Sequence, residues 1–298
     1  MERKSRRDFL KSTVGAAGAL AIGGLPAPAR AAKRSATDWV PLGKSGIQVT
    51  RLAFGTGTFG GRVQRELPQE EFTKLARHAY DRGIRFFESA DSYREMHERL
   101  AIALKGVPRD SYKLMTKFRW REAENPAATI DRFRQELNSE YFDILLIHCV
   151  RTKGWAQDLE RLRDHFSEAK EKKIILSHGA SCHGLLPLRD FPGNKWLDVA
   201  LLRINHDGTR MDSLQGREDD RGNVSEVVRH IQAVHAQGTG VIGMKIIGEG
   251  AFRTPEQRDA SIKFVTKLGT VDSVTIGYKS TAEIDEAIER INTHLNAS

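Results

Sequence analysis

Four side chains that can carry or exchange protons stand where short apolar runs of this sequence end. Glu88 and Tyr93 fall in the stretch RFFESADSY. Lys117 follows LMT, and His148 follows DILLI. A tyrosine with the usual pKa of about 10 is a weak acid near neutral pH, and a neighbouring ammonium favours its phenolate. A carboxylate would hold that ammonium in place. Such a phenol, beside a histidine that donates a hydrogen bond, can protonate a carbonyl oxygen.

Eight strand-like runs and eight helix-like runs alternate along the chain and would position these side chains. The strand-like runs, which are short and mostly apolar, are 50–56, 84–89, 112–118, 142–148, 174–180, 197–204, 240–246 and 272–277. The helix-like runs are 69–82, 94–104, 126–138, 155–171, 184–190, 223–237, 255–267 and 281–295. This alternation predicts parallel strands covered by helices, in an α/β fold with a closed (β/α)8 TIM barrel over residues 38–298. An open doubly wound sheet is the alternative.

Two further segments belong to this expected barrel. The stretch WVPLGKSGIQVTRL predicts a short N-terminal β-hairpin that turns at Lys44-Ser45-Gly46 and covers the amino-terminal end of the barrel. Residues 205–223 form the longest stretch without periodicity, directly after the sixth strand. Long loops on the carboxyl-terminal face of a barrel are usually functional, so we expect this one to fold over a ligand.

Residues 1–31 have the layout of a secretory signal. Arg6 and Arg7 precede an uncharged stretch, and small residues offer cleavage after Ala29 or Ala31. The run SRRDFLK resembles the bacterial twin-arginine motif, which implies the Tat export machinery as a partner and a periplasmic or exported location. The alternative is a membrane anchor. The apolar stretch is short for a bilayer span of about 20 residues, so no stable membrane insertion is expected after cleavage.

Charge and cysteine content narrow the functional classes. The chain carries a formal net charge of +8, and residues 1–31 hold six Lys/Arg and two Asp/Glu, which leaves +4 for the remainder. No basic tract interleaved with aromatics follows, so nucleic acid is not an expected partner. The two cysteines, Cys149 and Cys182, make no disulfide framework and pair only if the fold brings them together.

The sequence resembles the aldo-keto reductases in Glu88-Ser-Ala-Asp-Ser-Tyr93, in Lys117 after LMT, in His148 after DILLI and in the opening LGKSGIQVTRLAFGTGTFGG. The resemblance covers roughly residues 38–290. It implies a (β/α)8 barrel that reduces aldehydes or ketones with hydride from NAD(P)H. Tyr93 would be the general acid, Lys117 would tune it, His148 would orient the carbonyl and Glu88 would pair with Lys117.

The resemblance also implies a cofactor site, with NADP favoured over NAD. Its residues would be Gly55, Thr56, Ser181, Cys182, Met244, Lys245, Gly248, Lys279 and Ser280. Lys245 and Gly248 would hold the pyrophosphate, and the helix after Lys279 and Ser280 would receive the 2′-phosphate of NADP. The chain departs from the family pattern with Glu88 for aspartate, Cys182 for asparagine, Leu201 for glutamine, Met244 for an aromatic residue and Glu283 for arginine.

Three other interpretations remain open at this point. GTGTFG at 55–60 matches a dinucleotide-binding glycine pattern, but Arg62–Leu67 is polar and no helix is expected there. A metal-dependent barrel hydrolase would use the histidines and cysteines near strand ends, namely His148, Cys149, His178, Cys182, His183 and His206. These lack tight ligand spacing, and we predict no metal. A catalytically impaired nicotinamide-binding sensor or scaffold is the third.

Overall fold

Eight parallel strands close into a barrel in the computed structural model, which describes residues 33–120, 124–217 and 219–297. A hairpin of β1 (Trp39–Pro41) and β2 (Gln48–Thr50) precedes them. The barrel strands are β3 (Leu52–Gly55), β4 (Phe86–Glu88), β5 (Lys113–Arg119), β6 (Phe142–Val150), β7 (Ile175–Cys182), β8 (Val199–Arg203), β9 (Gly240–Met244) and β10 (Ser273–Gly277). Each pairs with the next, and β10 pairs with β3 to close the ring. The predicted fold class is confirmed. The predicted signal segment, residues 1–31, lies outside the described residues.

Helices follow the strands, as expected from the alternation. They are α1 (Arg62–Arg65), α2 (Gln69–Asp81), α3 (Met96–Ala103), α4 (Pro126–Glu136), α5 (Trp155–Asp158), α6 (Glu160–Glu171), α7 (Leu185–Leu188), α8 (Val224–Ala236), α9 (Pro255–Leu268) and α10 (Thr281–Asn296). The run predicted as one helix over 155–171 is divided at Leu159 into α5 and α6. The one-turn α1 lies where no helix was expected. Among the described helices, none is long and apolar enough to cross a membrane.

The helices form where apolar spacing and capping residues agree. In α2 the buried residues Phe72, Leu75, Ala76 and Ala79 recur at helical spacing and face the strands. Helix α9 begins at a capping box, in which the Thr254 hydroxyl accepts the Gln257 N–H. These local signals explain why the helices pack on the outside of the barrel.

The predicted hairpin covers the amino-terminal end of the barrel. Its Val40 and Val49 belong to the same buried cluster as Phe86, Met115 and Val199 of the barrel interior. The Lys44 N–H also donates to the Gly238 carbonyl, just before β9 begins. The hairpin therefore closes this end, and the opposite end, where the strands finish, is left for a functional site.

Candidate active site

A buried ion pair joins the ends of β4 and β5. The Lys117 ammonium hydrogen-bonds the Glu88 carboxylate and donates to the Ser89 carbonyl at 2.7 Å. Lys117 is 1% exposed and Glu88 is 4% exposed. Burial lowers the pKa of the Lys117 ammonium, and the Glu88 carboxylate opposes that effect. The lysine thus sits in a setting that makes its proton easier to release, while its partner fixes its position.

The space that the Glu88 side chain occupies is bounded by β3 and β10, on the side opposite Lys117. The second carboxylate oxygen of Glu88 accepts from the Thr275 hydroxyl at 3.2 Å. A Cβ at Gly55 would lie 2.6 Å from the Thr275 hydroxyl and 3.0 Å from that carboxylate oxygen. Glycine at 55 and threonine at 275 therefore make the space and the hydrogen bond that the longer acid requires.

Shortening the acid tests this arrangement. We expect Glu88→Asp to retain turnover within about tenfold of wild type, because an aspartate can still face Lys117 but cannot also reach Thr275. Glu88→Gln, which keeps the shape and removes the charge, is the matched control and should lose much more. Steady-state kinetics at neutral pH measure both, and equal losses in the two variants would contradict a need for the carboxylate charge.

Tyr93 and His148 stand beside this ion pair. Tyr93 ends a 3-10 turn after β4, and the Lys117 ammonium lies 4.7 Å from the centre of its ring. The His148 ring meets the Tyr93 ring edge to face, with centroids 5.5 Å apart. Its Nδ1 is hydrogen-bonded to the Ser92 hydroxyl at 3.0 Å. The four residues singled out from the sequence therefore come together at the carboxyl ends of β4, β5 and β6.

The glycine-rich stretch GTGTFG packs against the phenol. A Cβ at Gly57 would lie 2.5 Å from the Tyr93 hydroxyl oxygen. A Cβ at Gly61, where φ is 83°, would lie 2.8 Å from the Tyr93 Cβ. The glycines at these positions let the loop after β3 close over Tyr93. A barrel in place of an open sheet removes the dinucleotide interpretation of this motif, although the short α1 does follow it.

A cavity of about 610 Å³ extends from Tyr93 and Glu88 along the strand ends to the start of α10. Its wall includes four of the predicted cofactor residues, which are Gly55, Met244, Lys245 and Lys279. Leu201 lines the inner part, as expected for the position where the family has glutamine. The cavity joins the proton-transfer residues to the loop after β9 and to the α10 N-terminus.

The remaining predicted cofactor residues are not among the residues that line this cavity. The fully buried Thr56 donates to the Glu88 carbonyl at 3.0 Å and so braces the end of β4. Ser181 is equally buried and accepts the Cys149 N–H at 2.7 Å. The Cys182 thiol donates to the Gly184 carbonyl at 3.3 Å. The side chains of these three residues bond within the barrel wall, at the ends of the strands behind the cavity.

Gly248 and Ser280 also lie off the cavity wall. Gly248 is buried and has a φ of 55°, and a Cβ there would lie 3.2 Å from the Ala251 side chain. Its role is to turn the loop after β9. Ser280 is the N-cap of α10, where its hydroxyl accepts the Glu283 N–H at 3.4 Å. Both shape the backbone at positions that the sequence assigned to phosphate contacts.

Lys245 lines the cavity but is held by a carboxylate of its own loop. Its ammonium lies 2.6 Å from the Glu249 carboxylate, which is 7% exposed. Glu249 also accepts the Phe59 N–H at 2.9 Å and pairs with Arg210 at 3.2 Å. Glu249 thereby joins the loops after β3, β8 and β9. Any anion that binds at Lys245 has to share the ammonium with this carboxylate.

A buried polar group that was not predicted from the sequence lies on the other side of His148. Arg203, at the end of β8, is fully buried, lies 3.7 Å from Asp212 and hydrogen-bonds Nδ1 of His183. The His183 ring meets the His148 ring edge to face, with centroids 6.5 Å apart. Arg203 could have been found from the sequence, because it is a charged residue at the end of an apolar strand, as Lys117 is. Its pairing with Asp212 joins the 205–223 loop to the strand ends.

The residues weighed as metal ligands have other surroundings. Among residues 33–120, 124–217 and 219–297, no three His, Cys, Asp or Glu side chains are grouped so that they could hold a metal ion. His178 stacks on Trp196 with ring centroids 4.4 Å apart, and His206 packs on Phe252. Cys182 is a free thiol whose pKa burial raises, which disfavours the thiolate that zinc requires. Cys149 and Cys182 are not joined by a disulfide. The hydrolase interpretation gains no support here.

Comparison with known proteins agrees with this geometry. The family model described as "Aldo/keto reductase family" matches residues 51–298. The chain belongs to the aldo/keto reductase family. Over 155 residues the chain is 28% identical to the "Probable aldo-keto reductase 1" of Glycine max. That alignment covers 47% of the chain and 45% of the relative, so the chain spans less than half of that relative's length.

Solved structures share the barrel fold of this chain. A Pseudomonas aeruginosa protein, provisionally named as an aldo-keto reductase, has a TM-score of 0.70 at 18% identity and covers 88% of this chain and 98% of its own. An aldo-keto reductase from Bacillus halodurans, in its holo form, has a TM-score of 0.66 at 15% identity, covering 86% and 94%. At these identities the likeness establishes the fold alone.

Proposed function

We propose that this chain reduces an aldehyde or ketone with hydride from a nicotinamide cofactor, with Tyr93 as the general acid. Membership of a family of oxidoreductases that generally use NAD(P)H supports the reaction class. The observation that carries the proposal is the buried Glu88–Lys117 pair, whose ammonium lies 4.7 Å from the centre of the Tyr93 ring. A buried charge pair is expensive to maintain, and here it lies beside a phenol that lines the cavity.

Each of the four residues has a defined task in this reaction. Tyr93 donates its phenolic proton to the carbonyl oxygen as negative charge develops there. Lys117 stabilises the phenolate that remains, and Glu88 keeps the ammonium in register with the ring. His148, oriented by its bond to Ser92, lies edge-on to Tyr93 and orients the carbonyl between the two rings. The glycines of the loop after β3 hold the phenol in position.

The cavity fits a dinucleotide of this type. It begins at Tyr93 and Glu88, passes the loop of Lys245 and reaches Lys279 at the α10 N-terminus. Gly55 and Gly277 contribute only backbone to its wall, at points where a Cβ would collide with Thr275 and with Thr58 respectively. Met244 and Leu201 would hold the nicotinamide, and Lys245 would neutralise the pyrophosphate. The bound cofactor would supply the hydride.

A binding titration followed by a substrate panel tests the proposal. NADH and NADPH fluorescence should change on addition of protein, and at least one aldehyde or ketone should then be reduced. If neither nucleotide binds, the reductase proposal fails. The sensor or scaffold alternative predicts binding without turnover over the whole panel. The paired Glu88–Lys117 carboxylate and ammonium beside Tyr93 argue against that alternative, since a binding protein has no need of them.

We also propose that the protein is exported to the periplasm or beyond by the twin-arginine machinery and then has no stable membrane insertion. The SRRDFLK motif and the cleavage sites after Ala29 and Ala31 support this. Fractionation of cells that express the full chain tests it. A protein found in the cytoplasm with residues 1–31 still attached would contradict export.

A further inference from the structure

The cavity has two chemically different ends. The inner end, at Tyr93 and Glu88, carries the proton-transfer groups, and the outer end is formed by residues of α10 and α9. If nicotinamide lies at the inner end, as the proposed function requires, the adenosine half lies at the outer end. NADP differs from NAD only by a phosphate on the 2′ position of the adenosine ribose, so the outer end decides between them.

The chain's own carboxylate occupies the α10 N-terminus at this outer end. Glu283 lines the cavity and accepts the Lys279 N–H at 2.9 Å. Its own N–H donates in turn to the Ser280 hydroxyl. The N-terminal N–H groups of a helix attract an anion, but here the carboxylate of a first-turn glutamate lies at this end and bonds the N–H of Lys279, directly before the N-cap Ser280. A phosphate at this position would face a like charge.

A second carboxylate lies one turn further along the same wall. Glu286 accepts two hydrogen bonds from Arg258, at 2.9 and 3.1 Å, and one from Arg290 at 2.7 Å. Arg290 also pairs with Asp259 at 3.0 Å. These two cavity-lining arginines are therefore engaged by acids of the chain.

Two other basic side chains at the outer end of the cavity are exposed to solvent. Lys279 and Arg253 both line the cavity, and both side chains are exposed. Charges exposed to water are screened and hold an anion weakly compared with buried ones. A carboxylate, by contrast, is a good acceptor for ribose hydroxyl groups and a poor neighbour for a phosphate.

We propose that this site selects NAD(H) over NADP(H), and that Glu283 is the residue that determines the choice. The proposal rests on the reductase function proposed above and specifies its cofactor. It reverses the preference that the family resemblance implied for this chain. The reason is local: a carboxylate stands where the resemblance implies an arginine.

Equilibrium titrations with NADH and with NADPH test the selection. We expect wild-type protein to bind NADH about tenfold or more tightly than NADPH, as one like-charge contact near a protein surface predicts. Glu283→Arg should tighten NADPH binding and narrow or invert the ratio of the two dissociation constants. Glu283→Gln, which keeps an acceptor for the Lys279 N–H, should move the ratio in the same direction without the added positive charge.

The control is Glu289→Arg, the same charge change on an exposed position of α10 that does not line the cavity. It should leave the ratio unchanged. Equal or tighter binding of NADPH by the wild type overturns this inference and leaves the reductase function standing. An unchanged ratio in Glu283→Arg overturns it as well. If neither nucleotide binds any variant, the proposed function itself fails.

Discussion

Tyr93→Phe should lower turnover by about 10²–10⁴-fold while leaving cofactor binding close to that of the wild type. The substitution removes only the proton donor, because the ring still packs against His148 and the glycine loop. The dissociation constant for NADH and the rate of carbonyl reduction measure the two effects separately. Retained turnover would remove Tyr93 from the role of general acid.

A second tyrosine provides the matched control for this loss. Tyr80 in α2 donates its hydroxyl to Ser111 at 2.9 Å, away from the cavity. Tyr80→Phe therefore deletes the same atom and also breaks one hydrogen bond. It should cost about 1 kcal/mol of the free energy of unfolding and leave turnover unchanged. A comparable loss of turnover in both variants would indicate general damage to the fold.

Lys117→Met should abolish most of the activity and also destabilise the protein. Removal of the ammonium leaves the Glu88 carboxylate buried with the Thr275 hydroxyl but without its counter-charge. An uncompensated buried charge costs about 3–5 kcal/mol of the free energy of unfolding. Turnover should fall by about 10²-fold or more, since the phenolate of Tyr93 loses its neighbouring charge. Denaturant unfolding and steady-state kinetics measure the two losses.

A double variant separates the two losses. Lys117→Met combined with Glu88→Gln replaces the ion pair by two neutral side chains of similar size, so most of the stability should return while turnover stays lost. Lys113→Met is the control within the same strand, because its partner Asp143 keeps Arg109 at 2.8 Å. It should leave activity unchanged. Recovery of turnover in the double variant would contradict a catalytic need for the charge.

Much of the architecture was predictable because the barrel strands are short apolar runs bounded by polar residues. The alternation predicted every strand from β3 to β10 within a few residues, and strand-end side chains identified Glu88, Lys117 and His148. Such patterns are local, so a single sequence carries them. The division between α5 and α6 is a local irregularity within one amphipathic run, and the pattern did not reveal it.

Contacts between distant strands could not be predicted in the same way. Thr275 and Glu88 are hydrogen-bonded although they are 187 positions apart in the chain, and the residues around them in sequence do not predict this contact. The backbone at Cys149 adopts a φ of 64°, where the pairing of β6 with β7 shifts its register. The Ser181 hydroxyl supports that shift. Strand alternation predicts neither feature. The second one gives Ser181, which was predicted to contact the cofactor, a hydrogen bond within the barrel wall.

The crowding beside Gly55 links three positions that are remote in sequence. Any side chain at 55 would overlap the Thr275 hydroxyl, and it would also press on the carboxylate of Glu88. A library of variants at position 55 should therefore return active protein only with glycine, unless position 275 or 88 changes with it. Redesign of this site has to vary the three positions together.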